Sequence, residues 1–370
     1  MVITIVGAGP VGLLLGCLLA QEHQVTILEK RTKSGRDNGL NINEETITVI
    51  SDYLRSRNNP IPLLLERLNT WSGSVMRTSD IEVKLTEIAR SLGVTIHYGV
   101  NVSSIDNIPT SVVIAADGAH SVIRQLVFND EKVDQHDIEY MAQVKYETPG
   151  STRPRKLISA IGYSFINGLS GSDMVVDFES LAPPNNDLIK PGTLHIPIPL
   201  SLYETLCDDG NRGFKNPWKP EELSYTNDPG VSKLLGIISR YHFSLKLRGG
   251  WMGNPRITAI PLTIYRSKEV YKLLPCNKLV ILVGDAASGL IYQMGLNKGW
   301  LEAVQCTMSL SGVRAENLIH RLNQYSSYCQ RLYEYKRDEI LDKHDRIVSS
   351  NHTISATGVA LTFGAGLCRA

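Results

Sequence analysis

The stretch "VITIVGAGPVGLLLGCLLA", residues 2–20, constrains the fold of this chain more than any other. "VITIV" is a short run of β-branched and apolar residues, which predicts a buried strand, and Pro10 to Ala20 predicts a helix opened by its Pro. "VTIL" at 25–28 predicts the next strand, so the chain begins with a compact βαβ unit. "GAGPVG" stands between the first strand and the helix. There Gly7 permits a tight turn, Gly9 lets the backbone approach a pyrophosphate, and Gly12 lets helix pack on strand, while Pro10 and Val11 start the helix. The helix N-terminus turns its partial positive charge toward phosphate. Glu29 ends the second strand, placed to accept a hydrogen bond from a ribose 2′-hydroxyl, with Lys30 next to it. This predicts a dinucleotide-binding domain and does not by itself distinguish NAD from FAD.

A chain of 370 residues exceeds what one core usually serves, which predicts two domains. Its formal charge of +1, well mixed along the chain, gives no electrostatic footprint for nucleic acid or an anionic membrane. Six cysteines form no C-x-x-C pair, so neither a zinc site nor a disulfide framework is indicated, and a reducing cytoplasm is expected. The apolar start lacks a basic n-region and holds Gly-x-Gly-Pro, unlike a signal peptide.

Further along, "TSDIEVKLTEIARSLG" predicts a helix with Ser79 and Glu82 as a capping box, Ile81, Leu85, Ile88, Ala89 and Leu92 on its apolar face, and Gly93 as its stop. "VTIHYGV" predicts the strand after it. "SVVIAADGAHSVIR", residues 111–124, again runs a buried strand into a turn and a helix, with Asp117 and Gly118 at the turn. From 134 to 266 short alternating segments such as "MAQVKYET", "MVVDFES", "TLHIPIPL" and "RITAIPLTIY" predict an inserted antiparallel sheet. "LVILV" at 279–283 returns to a buried parallel-type strand, and helices are expected at 297–310 and 316–347. The expected fold is α/β: a parallel-sheet domain over 1–133 and 267–350, the antiparallel-sheet domain over 134–266, and an apolar tail at 351–370. That tail is shorter than the ~20 residues of a membrane span; a buried segment is the first reading and a membrane-dipping or partner-binding one the second.

Three motifs, "GAGPVG", "AADGAHSVIR" and "VGDAASGLIYQMGLNKG", resemble in kind and order those of the flavin monooxygenases with the p-hydroxybenzoate hydroxylase fold. "EKRTKSGRDNGLNINEETI" and "GSVMRTSDIEVKLTEIARSLGVTIHY" are similar to segments of the MICAL flavin monooxygenases, which act on actin methionines; the extra domains of those proteins are missing, so an actin substrate is not expected. The resemblance implies bound FAD, with Arg36 and Arg77 contacting it, Asn38 lining the flavin ring and Tyr292 beside the ring. Asn38 and Tyr292 are thus the candidate residues nearest the chemistry. Arg31 reads equally as a solvated surface cation, and Arg124 as either a cofactor-side residue or a surface ion pair. Gly284 and Asp285 follow the strand, with Asp285 placed for ribityl hydroxyls. The helix start at Gly295, Leu296 and Asn297 can aim backbone N–H groups at the flavin edge, where reduced flavin is negative. Here the chain departs from these relatives: the Pro and G-x-G turn usual between this Asp and the helix are replaced by a shorter "QMGLN".

The resemblance implies an FAD-dependent monooxygenase that uses NADPH or NADH and O₂ on a small apolar or aromatic substrate, with no metal. Two alternatives stand beside it: a non-oxygenating flavin reductase or dehydrogenase, and a flavin-binding protein that has lost turnover, which the shortened loop favours. "GGWMGNP" does not match the W-x-W-x-I-P of flavin halogenases. Nothing in the sequence sets an oligomeric state.

Overall fold

In the computed structural model, residues 1–32, 39–58, 60–149, 176–179, 189–213, 216–247, 250–275, 277–291 and 294–366 are described. The chain runs β1 (Val2–Val6), α1 (Pro10–Leu19), β2 (Gln24–Glu29), β3 (Gly39–Asn41), α2 (Glu44–Arg55), α3 (Pro62–Trp71), β4 (Val75–Arg77) and α4 (Thr78–Ser91). It continues through β5 (Thr95–Tyr98), β6 (Val112–Ala115), α5 (Val122–Phe128), β7 (Lys132–Pro149), β8 (Val176–Glu179), β9 (Ile189–Ile198), α6 (Leu200–Cys207), α7 (Pro220–Leu223) and α8 (Pro229–Leu247). β10 (Gly253–Ser267), β11 (Tyr271–Leu273), β12 (Leu279–Leu282), β13 (Ser288–Gly289), α9 (Met294–Leu310) and α10 (Ala315–Gly366) follow. Two compact units result: Met1–His136 with Thr263–Ile340, and Asp137–Leu262 with Leu341–Ala370.

The first unit is built on a sheet in the order β11-β12-β6-β1-β2-β5, parallel except for β11. β6 and β12 are buried along their whole length, as their unbroken apolar runs predict for strands covered on both faces. From β1 the chain moves outward through β2 to β5, then returns to β6 on the other side of β1. Such a reversal leaves a crevice at the carboxyl ends of β1 and β6, where open α/β sheets bind ligands.

The second unit contains the antiparallel pairs β7–β9 and β8–β9, with β10 beside β7. Ala142, Val144, Tyr146, Leu194, Ile196 and Ile198 alternate onto one face and form a core with Leu202 of α6 and Val231, Leu234, Ile238 and Tyr241 of α8. The mixed α/β fold expected from the sequence is observed, with one correction: residues 134–266 are not sheet alone. Val231, Leu234, Ile238, Tyr241 and Leu245 recur at helical spacing, so α8 buries an apolar stripe where short strands were expected.

Two further expectations are corrected. α4 starts at Thr78 with Arg77 as its N-cap and no side-chain cap bond, so the Ser79–Glu82 box does not close it; Glu82 lies buried beside Arg31 instead. Its apolar face and its stop at Gly93, in the left-handed region at φ +83°, are as expected. α10 does not end near 347 but runs on through the tail to Gly366, a stretch that holds no Pro to break it. No helix among the described residues is long and apolar enough to cross a membrane.

Candidate functional site

The three motifs meet in the first unit. After β1, Gly7 takes φ +107° and donates its N–H to Leu28 O at 2.8 Å, and a Cβ there would stand 2.4 Å from Ala116 O. At Gly12 a Cβ would lie 2.0 Å from Gly7 O, so loop and helix approach as only glycine allows. Gly9 differs: nothing lies within 4 Å of where its Cβ would be, and it borders two hollows. Pro10 opens α1 directly behind it.

Glu29 is buried at the end of β2, and its carboxylate accepts from four donors. Oε2 accepts Ala8 N–H at 2.8 Å and Arg31 Nη2 at 3.2 Å, while Oε1 accepts Arg31 N–H at 2.8 Å and Arg31 Nε at 2.9 Å. Burial pushes the Glu29 carboxyl up, but the Arg31 bonds and the Ala8 N–H outweigh it and hold the group below its ordinary range. Arg31 is thus no solvated surface cation. Its fork is fixed on Glu29 and reaches Glu82 at 3.5 Å. A ribose hydroxyl approaching Glu29 therefore meets oxygens whose lone-pair sites are already in use.

At the end of β6, Asp117 Oδ2 accepts the N–H groups of Val122 (2.7 Å) and Ile123 (3.4 Å) and so holds the start of α5. Its Oδ1 is buried with no hydrogen-bond partner among the described residues, beside Gly118 at φ +87°. Arg124 is wholly buried. It bonds Asp130 Oδ1 (2.7 Å), Ala119 O (2.7 Å) and Ala286 O (2.9 Å), with its guanidinium 5.1 Å over the Tyr265 ring. Tyr265 in turn donates to Asp285 O at 2.8 Å. Arg124 is neither a surface ion pair nor open to a ligand; it ties the turn after β6 to the loop after β12.

That loop begins at Gly284, φ +68°, whose N–H goes to Glu302 Oε2 at 2.7 Å. Asp285 lies against the start of α9, where a Cβ on Gly295 would be 2.8 Å from its Oδ1. α9 packs tightly on the first motif: a Cβ on Gly299 would come 2.6 Å from Val11, and Trp300 donates to Pro10 O at 3.1 Å. Asn297 uses its side chain within the fold, donating to Asn41 O (2.8 Å) and accepting Asn43 N–H (2.9 Å). α9 begins at Met294, three residues before the expected start, which places Gly295, Leu296 and Asn297 in its first turn.

Two hollows result. One, about 620 Å³, is lined by Gly7, Glu29, Lys30, Arg31 and Asp117; the other, about 850 Å³, by Pro10, Val11, Thr78, Asp285, Gly295 and Leu296. Gly9, Ala116 and Gly118 border both. Arg77 lies opposite Gly39 in the antiparallel β3–β4 pair, one residue before Thr78. Arg36, Asn38 and Tyr292 lie outside the described residues. Among the described residues no group of three or more His, Cys, Asp or Glu side chains is arranged to hold a metal.

Sequence reading missed the buried pair Lys298 and Glu302, 2.9 Å apart with no exposure at either. Their signal is two charges, four residues apart, inside the apolar run of α9.

The family profile of NAD(P)-binding Rossmann-like domains matches residues 5–45. Among solved structures the chain is similar to AlpK, with TM-score 0.59 and 18% identity over 99% of this chain and 75% of that one. It is similar to CtdE, solved in complex with FAD and a substrate, with TM-score 0.59 and 13% identity over 92% and 89%. It is also similar to OxyS anhydrotetracycline hydroxylase from Streptomyces rimosus, with TM-score 0.53 and 15% identity over 88% and 65%. These likenesses establish a shared fold. No curated protein matches the chain by sequence.

Proposed function

We propose that this chain is an FAD-dependent oxidoreductase, and more narrowly a monooxygenase that uses NADPH or NADH and O₂ on a small apolar or aromatic substrate in the cytoplasm. The observation that carries the reading is the pair of adjacent hollows that share Gly9, Ala116 and Gly118 in their linings, which suits a ligand with two ends linked by a phosphate bridge. Gly9 supports it further, because any side chain there would project into the junction. So does the fold shared with CtdE, which holds FAD, and with the OxyS hydroxylase.

In this reading Gly9 and the start of α1 face the pyrophosphate with backbone N–H groups and the positive end of a helix dipole. Lys30, Arg36 and Arg77 add positive charge, and Glu29 meets the adenosine ribose once Arg31 releases one of the Glu29 carboxylate oxygens. The Asp117 Oδ1 without a partner accepts from a ligand hydroxyl or ordered water. Asp285 accepts from the ribityl chain, and the first turn of α9 at Gly295–Asn297 offers N–H groups to negative charge at the ring edge. Bound FAD supplies the hydride and oxygen chemistry. Asn38 and Tyr292, outside the described residues, would by the resemblance stand beside the ring.

The test is reconstitution with FAD and a visible spectrum, followed by NADPH and NADH oxidation with and without apolar aromatic substrates. A bound-flavin spectrum is expected, abolished in Gly9→Asp and weakened in Asp285→Ala. A protein that never takes up FAD sinks the reading, and one that binds FAD but is reduced by neither nicotinamide is a flavin-binding protein without turnover.

A further inference from the structure

Lys298 and Glu302 sit on one face of α9, four residues apart, and neither side chain has any exposed surface. Burying two charges is costly, and such pairs persist where each proton and lone pair is used. Here each is. The Lys298 ammonium donates to Glu302 Oε1 at 2.9 Å, Ser288 Oγ at 2.8 Å and Gly284 O at 3.3 Å, its full set of three. The second oxygen of Glu302 accepts Gly284 N–H at 2.7 Å. The pair thus holds both backbone polar groups of Gly284 and the far end of the loop at Ser288, and Asp285 lies between.

We infer that Lys298 and Glu302 are positioning residues: a charge-neutral clamp that fixes the Gly284–Ser288 loop, and with it Asp285, in the shape that receives the flavin. The flavin part of this inference rests on the function proposed above; the clamp itself rests on the bonds to Gly284 and Ser288. Neutrality is the useful property. The titratable groups facing Glu302 are Lys298 and Cys306 of α9, Asp285 of the loop, and Tyr325, Tyr328 and Cys329 of α10. Burial pushes these thiols and phenols up, Tyr328 to about 12, so they add no negative charge beside it near neutral pH. Burial pushes the Glu302 carboxyl up, and the Lys298 ammonium and the Gly284 N–H pull it back down. Without Lys298, Glu302 is a lone buried carboxyl that is neutral in acid and an uncompensated charge at higher pH.

The experiment compares the wild type, Lys298→Met and the double variant Lys298→Met/Glu302→Gln from pH 5.5 to 8.5. FAD titration is followed by flavin fluorescence, and amide hydrogen exchange is measured on the apoprotein over 283–291. Wild type is expected to bind FAD with an affinity that changes less with pH than that of Lys298→Met. Lys298→Met is expected to bind at least about tenfold more weakly at pH 8 and to recover as pH falls, with exchange at Gly284 following the same trend. The double variant, which has no charge left to bury, is expected to fold and lose the pH dependence. Lys298→Met exchange at 283–291 that matches wild type at every pH overturns the clamp. Altered exchange in a set of proteins none of which takes up FAD supports the clamp and removes the flavin reading instead. Unaltered FAD affinity beside altered exchange overturns its link to the flavin.

Discussion

At the scale of single residues, two glycines of one motif carry different burdens. Gly12 has Gly7 O where its Cβ would stand, 2.0 Å away, while Gly9 has open space and an ordinary φ of −77°. Gly12→Ala should therefore destabilise the fold by about 3 kcal/mol, the upper range of overpacking. Gly9→Ala should leave stability within about 0.5 kcal/mol, as an unobstructed site does, and still weaken FAD. Denaturant unfolding and FAD titration of both variants check this; equal loss of stability in the two would contradict the loop geometry. This contrast was legible in the sequence, because a strand, a G-x-G-x-x-G turn and a helix are local. Arg124 was not: its acceptor on Ala286 is 162 residues away, and only the β6–β12 pairing brings them together. The saturation of Glu29 by Arg31 was equally hidden, since it depends on a rotamer.

Among elements, the first unit was more legible than the second. Buried parallel strands announce themselves as unbroken apolar runs such as "LVIL", and sharp turns as glycines. The insertion alternates strands with α8, and its short segments masked the helical spacing of Val231, Leu234, Ile238 and Tyr241. On β9, opposite Gln143 of β7, His195 accepts or donates across 2.8 Å and is pushed down to about 4, by burial first and by Lys145 second. A histidine with a lowered folded pKa contributes stability that is whole above its ordinary value of 6.5 and is lost as pH falls toward 4. The second unit should therefore lose stability between those two values, and His195→Gln should flatten the loss. Melting followed by circular dichroism across that range measures it, and an equally acid-sensitive variant would refute it.

Over the whole molecule, each unit has its own hydrophobic core, and every described residue of the cradle belongs to the first. A ligand that binds only the folded first unit should raise the transition of that unit alone. At FAD about a hundredfold above its Kd the gain is about 2.7 kcal/mol. Calorimetry with and without FAD should show one transition moved and the other in place; no shift at all would remove the flavin reading.

The junction of the two hollows at Gly9, Ala116 and Gly118 has one more consequence. A site made of two adjoining chambers selects by length. A mononucleotide fills one chamber and gains nothing from the other, whereas in a dinucleotide the first end to bind holds the second at high effective concentration. If FAD is the ligand, as proposed above, the cradle should bind it more tightly than FMN or AMP, each of which fills only one chamber.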